Sequence, residues 1–468
     1  MPSKYHIHTA KMDPRFNPIG KYATIEFRED CAGSCRNCVK KQCAYNIFKD
    51  NADHWSNMQS PEFLYICKSC YRCVENCTRG IFSLAINPEY RTLGDDYWTA
   101  PVIVSTWAQA HTGAIPVSGA GYRGRFAGEG FDSIWTDMSE IVRPTRDGIH
   151  GREYISTVTE LSRRPSRLKF NLDGSLVTPE TPILEIPLPV TLVQPRFGVL
   201  SQNVLLAMAA AARQGGTLLF IRPESYTPAF AGYAGSLVPC LTAGSVAQYG
   251  GLVKNSRMVE VADSPGIEQA VAELRQIKPD VFIAVGLALD SSAADRAVRL
   301  AGLEVDTLHF YGSDTGWEVK TASPRHMKDM IREIHLKLVG AKARHNINLV
   351  FSGGMALAEH MAKAILCGAD AISIDIPLLI ALECRLCYRC KRGKACPVQL
   401  EAIELKWGTQ RMVNLLGAWH NQLLEVMGAC GIREARRLRG EIGRSMWFED
   451  LERDNFGPLF GTRKVSRI

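Results

Sequence analysis

Long apolar runs are missing from this chain of 468 residues: none approaches the ~20 that a membrane-spanning helix needs. Residues 1–11 also lack the apolar middle of a secretory leader, so a soluble, cytoplasmic protein without a transmembrane segment is expected. Charge of one sign is scarce as well. The 55 basic and 48 acidic residues leave +7 at pH 7, and the basic ones are scattered apart from 433–444. No nucleic-acid partner is expected from that balance. Low-complexity tracts are absent. With 46% hydrophobic and 22% charged residues, the composition excludes disordered and fibrous classes, and the length allows about three domains.

Cysteine is what the chain has in excess. Fifteen cysteines in a cytoplasmic protein argue against a disulfide framework, because that compartment keeps thiols reduced. Eight lie between Cys31 and Cys77 and four between Cys384 and Cys396, while Cys240, Cys367 and Cys430 stand alone and read as small buried hydrophobes. The first group is Cys31-x3-Cys35-x2-Cys38-x4-Cys43 and the second Cys67-x2-Cys70-x2-Cys73-x3-Cys77. A cubane needs four thiolates converging from different directions. One short loop supplies three, and in two-cluster ferredoxins the fourth comes from the other group. That logic assigns Cys31, Cys35, Cys38 and Cys77 to one [4Fe-4S] centre and Cys67, Cys70, Cys73 and Cys43 to another. Two structural zinc sites are the competing reading, although zinc needs no third thiol at this spacing. The usual proline after the fourth cysteine is replaced by Ala44 and Thr78.

The third group, Cys384-x2-Cys387-x2-Cys390-x5-Cys396, ends in Pro397 and again suits [4Fe-4S], with zinc as the alternative. Before it, apolar runs alternate with amphipathic stretches. Strands are expected at 189–193, 217–221, 258–261, 281–286, 307–311, 347–351 and 371–374. Helices are expected at 203–213, 266–276, 291–301, 325–339 and 356–367. So many strand–helix repeats favour an α/β fold closed into a (β/α)8 TIM-type barrel, with an eighth strand missing or disguised. The expected division is a two-cluster ferredoxin domain over 1–100, a Gly/Pro/Arg-rich connector over 101–185, and the barrel over 186–383. The third cluster loop and a helical tail then fill 384–468. The third cluster would sit at the C-terminal mouth of the barrel, where barrel enzymes keep their chemistry.

The stretch from Gly130-Phe131-Asp132-Ser133-Ile134-Trp135 through Arg143-Pro144-Thr145-Arg146-Asp147-Gly148 to Tyr154 resembles the archaeal-type glutamate synthase large subunit. So do Phe197-Gly198-Val199-Leu200-Ser201, Ser352-Gly353-Gly354 with Gly368-Ala369-Asp370-Ala371, and Leu379-Ile380-Ala381-Leu382-Glu383-Cys384. The resemblance implies an N-terminal ferredoxin domain, an FMN-binding barrel and no glutaminase domain. It implies that Ser201, Ser352, Gly353, Gly354 and Gly368 hold FMN. It also matches Cys384, Cys390 and Cys396 to the three ligands of a [3Fe-4S] centre in larger relatives, to which Cys387 adds a fourth thiol. Glycines after a late strand, leading into a helix, suit a phosphate in their own right. FMN is expected rather than FAD, since no Rossmann fingerprint is present.

Four departures stand against that likeness. The family's Lys and Gln for 2-oxoglutarate are replaced by Ser245 and Leu252, around Gly250-Gly251. Phe220-Ile221-Arg222-Pro223-Glu224 and Gly312-Ser313-Asp314-Thr315-Gly316 replace two glycine-rich loops, and Asp375 stands in the turn expected to approach the flavin phosphate. A dicarboxylate needs charged donors; Arg222 or Lys254 could substitute. His150 and His309 are the acid–base candidates, against the commoner structural role of a lone histidine. Two functions remain. One is an iron–sulfur flavoprotein subunit relaying electrons from a low-potential, ferredoxin-like donor within a larger redox complex. The other is an enzyme of glutamate synthase type, aminating a 2-oxo acid with ammonia from a separate amidotransferase subunit.

Overall fold

The computed structural model describes residues 5–26, 70–78, 80, 83–115, 128–136, 155–163, 169–177 and 182–461. Eight parallel strands close into a barrel: β1 Val190–Val193, β2 Leu219–Ile221, β3 Leu237–Leu241, β4 Met258–Ala262, β5 Phe282–Ala288, β6 Thr307–Tyr311, β7 Asn348–Ser352 and β8 Ala371–Ile374. Each pairs with its sequence neighbours, and β8 returns to β1 through Ile372–Val190, Ser373–Thr191 and Ile374–Leu192. The fold is the expected TIM-type α/β barrel.

The eighth strand is β3, and a proline had disguised it. Within a sheet, proline costs a ladder hydrogen bond and argues against a central strand. Here Leu237, Val238 and Pro239 pair with β2, and pairing with β4 begins only at Cys240. Pro239 therefore falls at the changeover. Between β2 and β3 the chain forms 3₁₀ turns at Pro223–Ser225 and Pro228–Ser236 in place of the amphipathic helix that would have flagged the repeat.

The outer layer follows from local sequence. Helix α1 (Ala100–Thr112) ends at Gly113, whose φ of 71° only glycine adopts freely. It lies where an irregular connector was expected, because its apolar residues Val102, Ile103, Val104, Trp107 and Ala108 give little periodic signal. Helix α2 (Gln202–Gln214) is rich in alanine and leucine and is capped by Ser201, whose oxygen accepts from the Val204 N–H at 3.4 Å. The helices that follow around the barrel are α3 Gly250–Asn255, α4 Ile267–Ile277, α5 Ala293–Ala301, α6 Met327–Gly340, α7 Ala358–Cys367, α8 Ile376–Ala381 and the 25-residue α9 Leu405–Ala429. Helix α9 packs on α1, α2 and α7, so the tail is part of the barrel's outer layer.

Two devices orient the barrel. At its N-terminal end, Thr159–Glu160 pairs antiparallel with Glu185–Ile186, and Leu161, Leu184 and Ile186 pack into the interior with Phe220, Met258 and Val350. That end is plugged, which leaves the C-terminal mouth for chemistry. At the mouth a second apolar cluster joins Trp98, Val102, Ile103 and Trp107 to Ile376, Ile380 and Leu386. Further towards the N-terminus, Tyr22–Glu26 pairs antiparallel with Ser83–Ile86 and brackets the chain that holds the first eight cysteines. Cys31, Cys35, Cys38, Cys43 and Cys67 lie outside the described residues, as does His150. Among the described residues, no helix is long and apolar enough to cross a membrane.

Candidate redox site

Strand β8 runs into the short apolar helix α8, and the third cysteine group follows at once. The backbone there is unusual. Glu383, Leu386, Tyr388 and Gln399 all adopt positive φ, between 44° and 73°. Such conformations cost about 1–3 kcal/mol each in non-glycine residues and gather at functional sites. Their effect is to coil the loop, so that Cys384 feels Cys396, Cys387 and Cys390 as electrostatic neighbours. All four thiols are free and partly buried. Burial, then these neighbours, push the Cys384 thiol up to about 12, while the Leu386 N–H counters them. A bound metal centre would reverse that order, since coordinated thiols lose their protons.

Charge and packing hold the loop in place. Arg411 of α9 is fully buried; its Nε donates to the Ala381 carbonyl at 2.6 Å and Nη1 to Met12 at 3.2 Å. The same guanidinium faces Glu383 at 3.8 Å, and the Arg15 N–H donates to that carboxylate at 2.9 Å. On the other flank the Tyr388 hydroxyl donates to Asp95 at 2.6 Å. Lys391 sits 4.2 Å from the ring centroid of Phe197 and 4.7 Å from that of Tyr388, and the two rings are 5.4 Å apart. Cys384 packs in the same apolar cluster as Phe197, the aromatic residue of the turn after β1. The cysteine loop thus touches both the barrel mouth and the 90–98 segment that follows Cys77.

The mouth residues divide sharply. Ser352 ends β7 buried, and Gly353 and Gly354 turn the chain at φ 106° and 66°. A Cβ on Gly353 would lie 2.4 Å from the Ser313 carbonyl oxygen, and one on Gly354 2.3 Å from the Gly316 nitrogen. No described residue accepts from the N–H groups of Gly353 or Gly354. Two such donors suit a phosphate monoester, so this turn fits FMN. Ser201 serves as the N-cap of α2. Gly368 closes α7 against His335, at the opposite end of the barrel from Gly353. Asp375 is buried and caps α8 itself, accepting from the Ile376 N–H at 2.6 Å. Burial raises its carboxyl to about 6; the Ile376 N–H and Arg196 oppose the rise and Asp314 adds to it.

The loops that depart from the glutamate synthase pattern are occupied otherwise. Ser245 and Thr242 form a reciprocal cap on a 3₁₀ turn, and Gly250 and Gly251 start α3. Arg222 leaves β2 exposed, its N–H held by Gln194 at 2.9 Å, and Lys254 is exposed on α3. His309 is not a lone histidine. Its Nδ1 lies 2.7 Å from Glu260 Oε2, and the Tyr311 hydroxyl donates to Glu260 Oε1 at 2.7 Å. Sequence reasoning missed Glu260 and Tyr311. The available signal was a carboxylate in mid-strand, Met-Val-Glu-Val-Ala, beside a His-Phe-Tyr pair at strand spacing.

Fold and site define a (β/α)8 barrel with a four-thiol loop wound over its C-terminal mouth. Residues 247–433 match the family model described as a conserved region in glutamate synthase. The chain is 24% identical over 476 residues to the archaeal-type glutamate synthase [NADPH] of Dehalococcoides mccartyi, covering 88% of this chain and 92% of that protein. It is likewise 24% identical over 512 residues to the archaeal glutamate synthase [NADPH] of Archaeoglobus fulgidus, covering 92% and 96%. The likeness to glutamate synthases extends over most of the chain.

Proposed function

We propose that this chain is a glutamate-synthase-like oxidoreductase subunit that carries three [4Fe-4S] clusters and FMN and relays electrons within a larger cytoplasmic redox complex. The observation that carries the reading is the coiled four-thiol loop, packed through Cys384 and Tyr388 against Phe197 at the barrel mouth. Cys384, Cys387, Cys390 and Cys396 would hold the third cluster. Cys31, Cys35, Cys38 and Cys77, with Cys67, Cys70, Cys73 and Cys43, would hold the ferredoxin pair. The turn Ser352-Gly353-Gly354 would take the FMN phosphate on its free N–H groups. Bound there, FMN would exchange one-electron for two-electron chemistry. The chain's own part is to position the thiols and to hold their loop against the 90–98 segment, where the Tyr388 hydroxyl donates to Asp95 and the Gly94 N–H to the Arg385 carbonyl. The partners are other redox or amidotransferase subunits and a low-potential donor.

Metal analysis tests the cluster assignment. Anaerobically purified protein is expected to hold about twelve iron and twelve sulfide per chain, four of each for every group of four thiols. Cys387→Ser should alter the electron paramagnetic resonance signal of the third cluster alone. Eight iron per chain in the wild type would count against one of the three groups.

The second reading, amination of 2-oxoglutarate, is disfavoured by the capped Ser245 turn and by Leu252. Losing one charge-assisted contact typically costs ~1.5–3 kcal/mol, so losing two weakens binding by about a few hundred-fold or more. Reduced protein is therefore expected not to reoxidise with millimolar 2-oxoglutarate and ammonium, with or without partner subunits. Substrate-dependent reoxidation would restore the glutamate synthase reading.

A further inference from the structure

Three consecutive residues at the barrel mouth, Gly353, Gly354 and Met355, are buried, and their peptide N–H groups donate to no described residue. Buried backbone donors are almost always paired, so a run of three marks a place built for an acceptor from outside the chain. Successive N–H groups in a turn of this kind form a concave nest, and such nests hold anions. A nest works only while its peptides keep one orientation. A flip of the 354–355 peptide would swap the Met355 N–H for the Gly354 carbonyl and present an oxygen to the anion.

One side chain prevents that flip. The Tyr97 hydroxyl donates to the Gly354 carbonyl oxygen, and in a trans peptide the N–H points the opposite way. Tyr97 therefore fixes the direction of the Met355 N–H from behind. Its neighbour Trp98 is fully buried and donates from Nε1 to the Asp314 carbonyl at 2.9 Å, in the loop that packs against Gly353 and Gly354. Both residues belong to one tight turn. The Asp95 carboxylate accepts from the Tyr97 N–H at 2.9 Å and the Trp98 N–H at 2.8 Å, while the Asp95 N–H donates to the Trp98 carbonyl at 3.2 Å.

The same turn grips the cysteine loop. The second oxygen of Asp95 accepts from the Tyr388 hydroxyl at 2.6 Å. Tyr388 stands between Cys387 and Cys390 at φ 52°, so this bond holds the strained stretch between two thiols. The Gly94 N–H donates to the Arg385 carbonyl at 3.1 Å, and Glu89 faces the Arg385 guanidinium at 3.5 Å. Segment 89–98 thus holds the cysteine loop on one side and the glycine turn on the other, and Asp95 serves both.

We propose that Tyr97 is a positioning residue for the flavin phosphate, and that Asp95 couples phosphate binding in the 353–355 turn to closure of the cysteine loop. Each site biases the 95–98 turn towards the conformation that the other needs. By reciprocity, opening the loop weakens the hold on phosphate by the same factor as losing the phosphate loosens the loop. The inference rests on the reading of Ser352-Gly353-Gly354 as the FMN phosphate site.

The test uses the full-length anaerobic protein with its iron in place, freed of flavin at pH 8 and titrated with FMN or with riboflavin, which lacks the phosphate. Binding is read from the quenching of flavin fluorescence. Wild-type protein is expected to prefer FMN strongly. Tyr97→Phe keeps the ring and should weaken FMN about tenfold, the worth of one hydrogen bond, while riboflavin affinity stays unchanged. Tyr388→Phe removes a hydroxyl that bonds Asp95 and not the 353–355 turn. It should weaken FMN about threefold, again sparing riboflavin, and should add nothing to the effect of Asp95→Ala. Equal FMN affinity in wild type and Tyr97→Phe, or parallel losses for FMN and riboflavin, would overturn the positioning role. Tyr388→Phe with wild-type FMN affinity would overturn the coupling. Wild-type protein that binds FMN no more tightly than riboflavin would instead sink the flavin-phosphate reading itself, a failure that the wild type shows without any variant.

Discussion

Arg411→Ala is expected to cost about 3–5 kcal/mol of stability and to lower the occupancy of the cluster proposed for the third cysteine loop. The guanidinium is fully buried, and three groups depend on it at once: the Ala381 carbonyl that ends α8, the Met12 carbonyl and the Glu383 carboxylate. Removing the cation from such a set leaves Glu383 buried without its counter-charge, which is the costly half of a broken buried pair. Glu383 is the residue at φ 73° immediately before Cys384. Burial already raises its carboxyl, and Arg411 is the largest influence holding it down. Without Arg411 the carboxyl takes up a proton or turns towards solvent, and either motion moves the first thiol. Denaturant midpoints and iron per chain read the two effects separately. Adding Glu383→Gln to an Arg411→Met variant removes both charges together and should recover stability, because an apolar replacement of a whole buried pair is often neutral. Iron content and midpoint both unchanged in Arg411→Ala would show that the loop is held by its apolar contacts alone.

The barrel was legible because parallel strands buried on both faces read as continuous apolar runs, and the helices between them kept their periodicity. That is why β1, β2 and β4 to β8 could be read from the residues. Strand β3 could not, since Pro239 and the flanking 3₁₀ turns carry the marks of a loop. The cysteine loop was singled out from its spacing alone, but the clamp that holds it was not visible there. Arg411, Glu383 and Arg15 lie far apart in the chain, and no local pattern links them. The same holds for Glu260 and Tyr311, which meet only because Gly286 stands between them. Gly353 and Gly354 were read from a turn, and the structure adds that their N–H groups point to no acceptor among the described residues. Gly368 looked equivalent in sequence, yet strand direction puts it at the plugged end. Local chemistry was visible; long-range convergence was not.

Asp375→Asn is expected to stabilise the protein increasingly as pH rises and to tighten its hold on flavin. The Asp375 carboxyl titrates at about 6 when folded, against 3.8 for the ordinary side chain. A raised carboxyl means that the folded state prefers the proton. Stability is therefore full below the unfolded value and falls as pH rises from about 4 to about 6, after which the deficit is constant at about 3 kcal/mol. Asparagine carries no charge, keeps an oxygen for the Ile376 N–H and remains a good N-cap, so the capping of α8 survives. The gap between variant and wild type should widen by about 1–2 kcal/mol between pH 5 and pH 8, measured by denaturant unfolding under anaerobic conditions. A gap that is flat with pH would show that Asp375 is already compensated in the folded protein, Arg196 being the cation that opposes its rise. The flavin effect follows from the same charge. An ionised carboxylate at the mouth repels the phosphate of a bound mononucleotide, and Asp314 reinforces that field. Wild-type protein passed through a desalting column at pH 8 should lose flavin faster than at pH 6, whereas Asp375→Asn should lose it equally slowly at both. If neither protein carries flavin at either pH, Asp375 is not what limits binding, and the N–H groups of Gly353 and Gly354 serve some other anion.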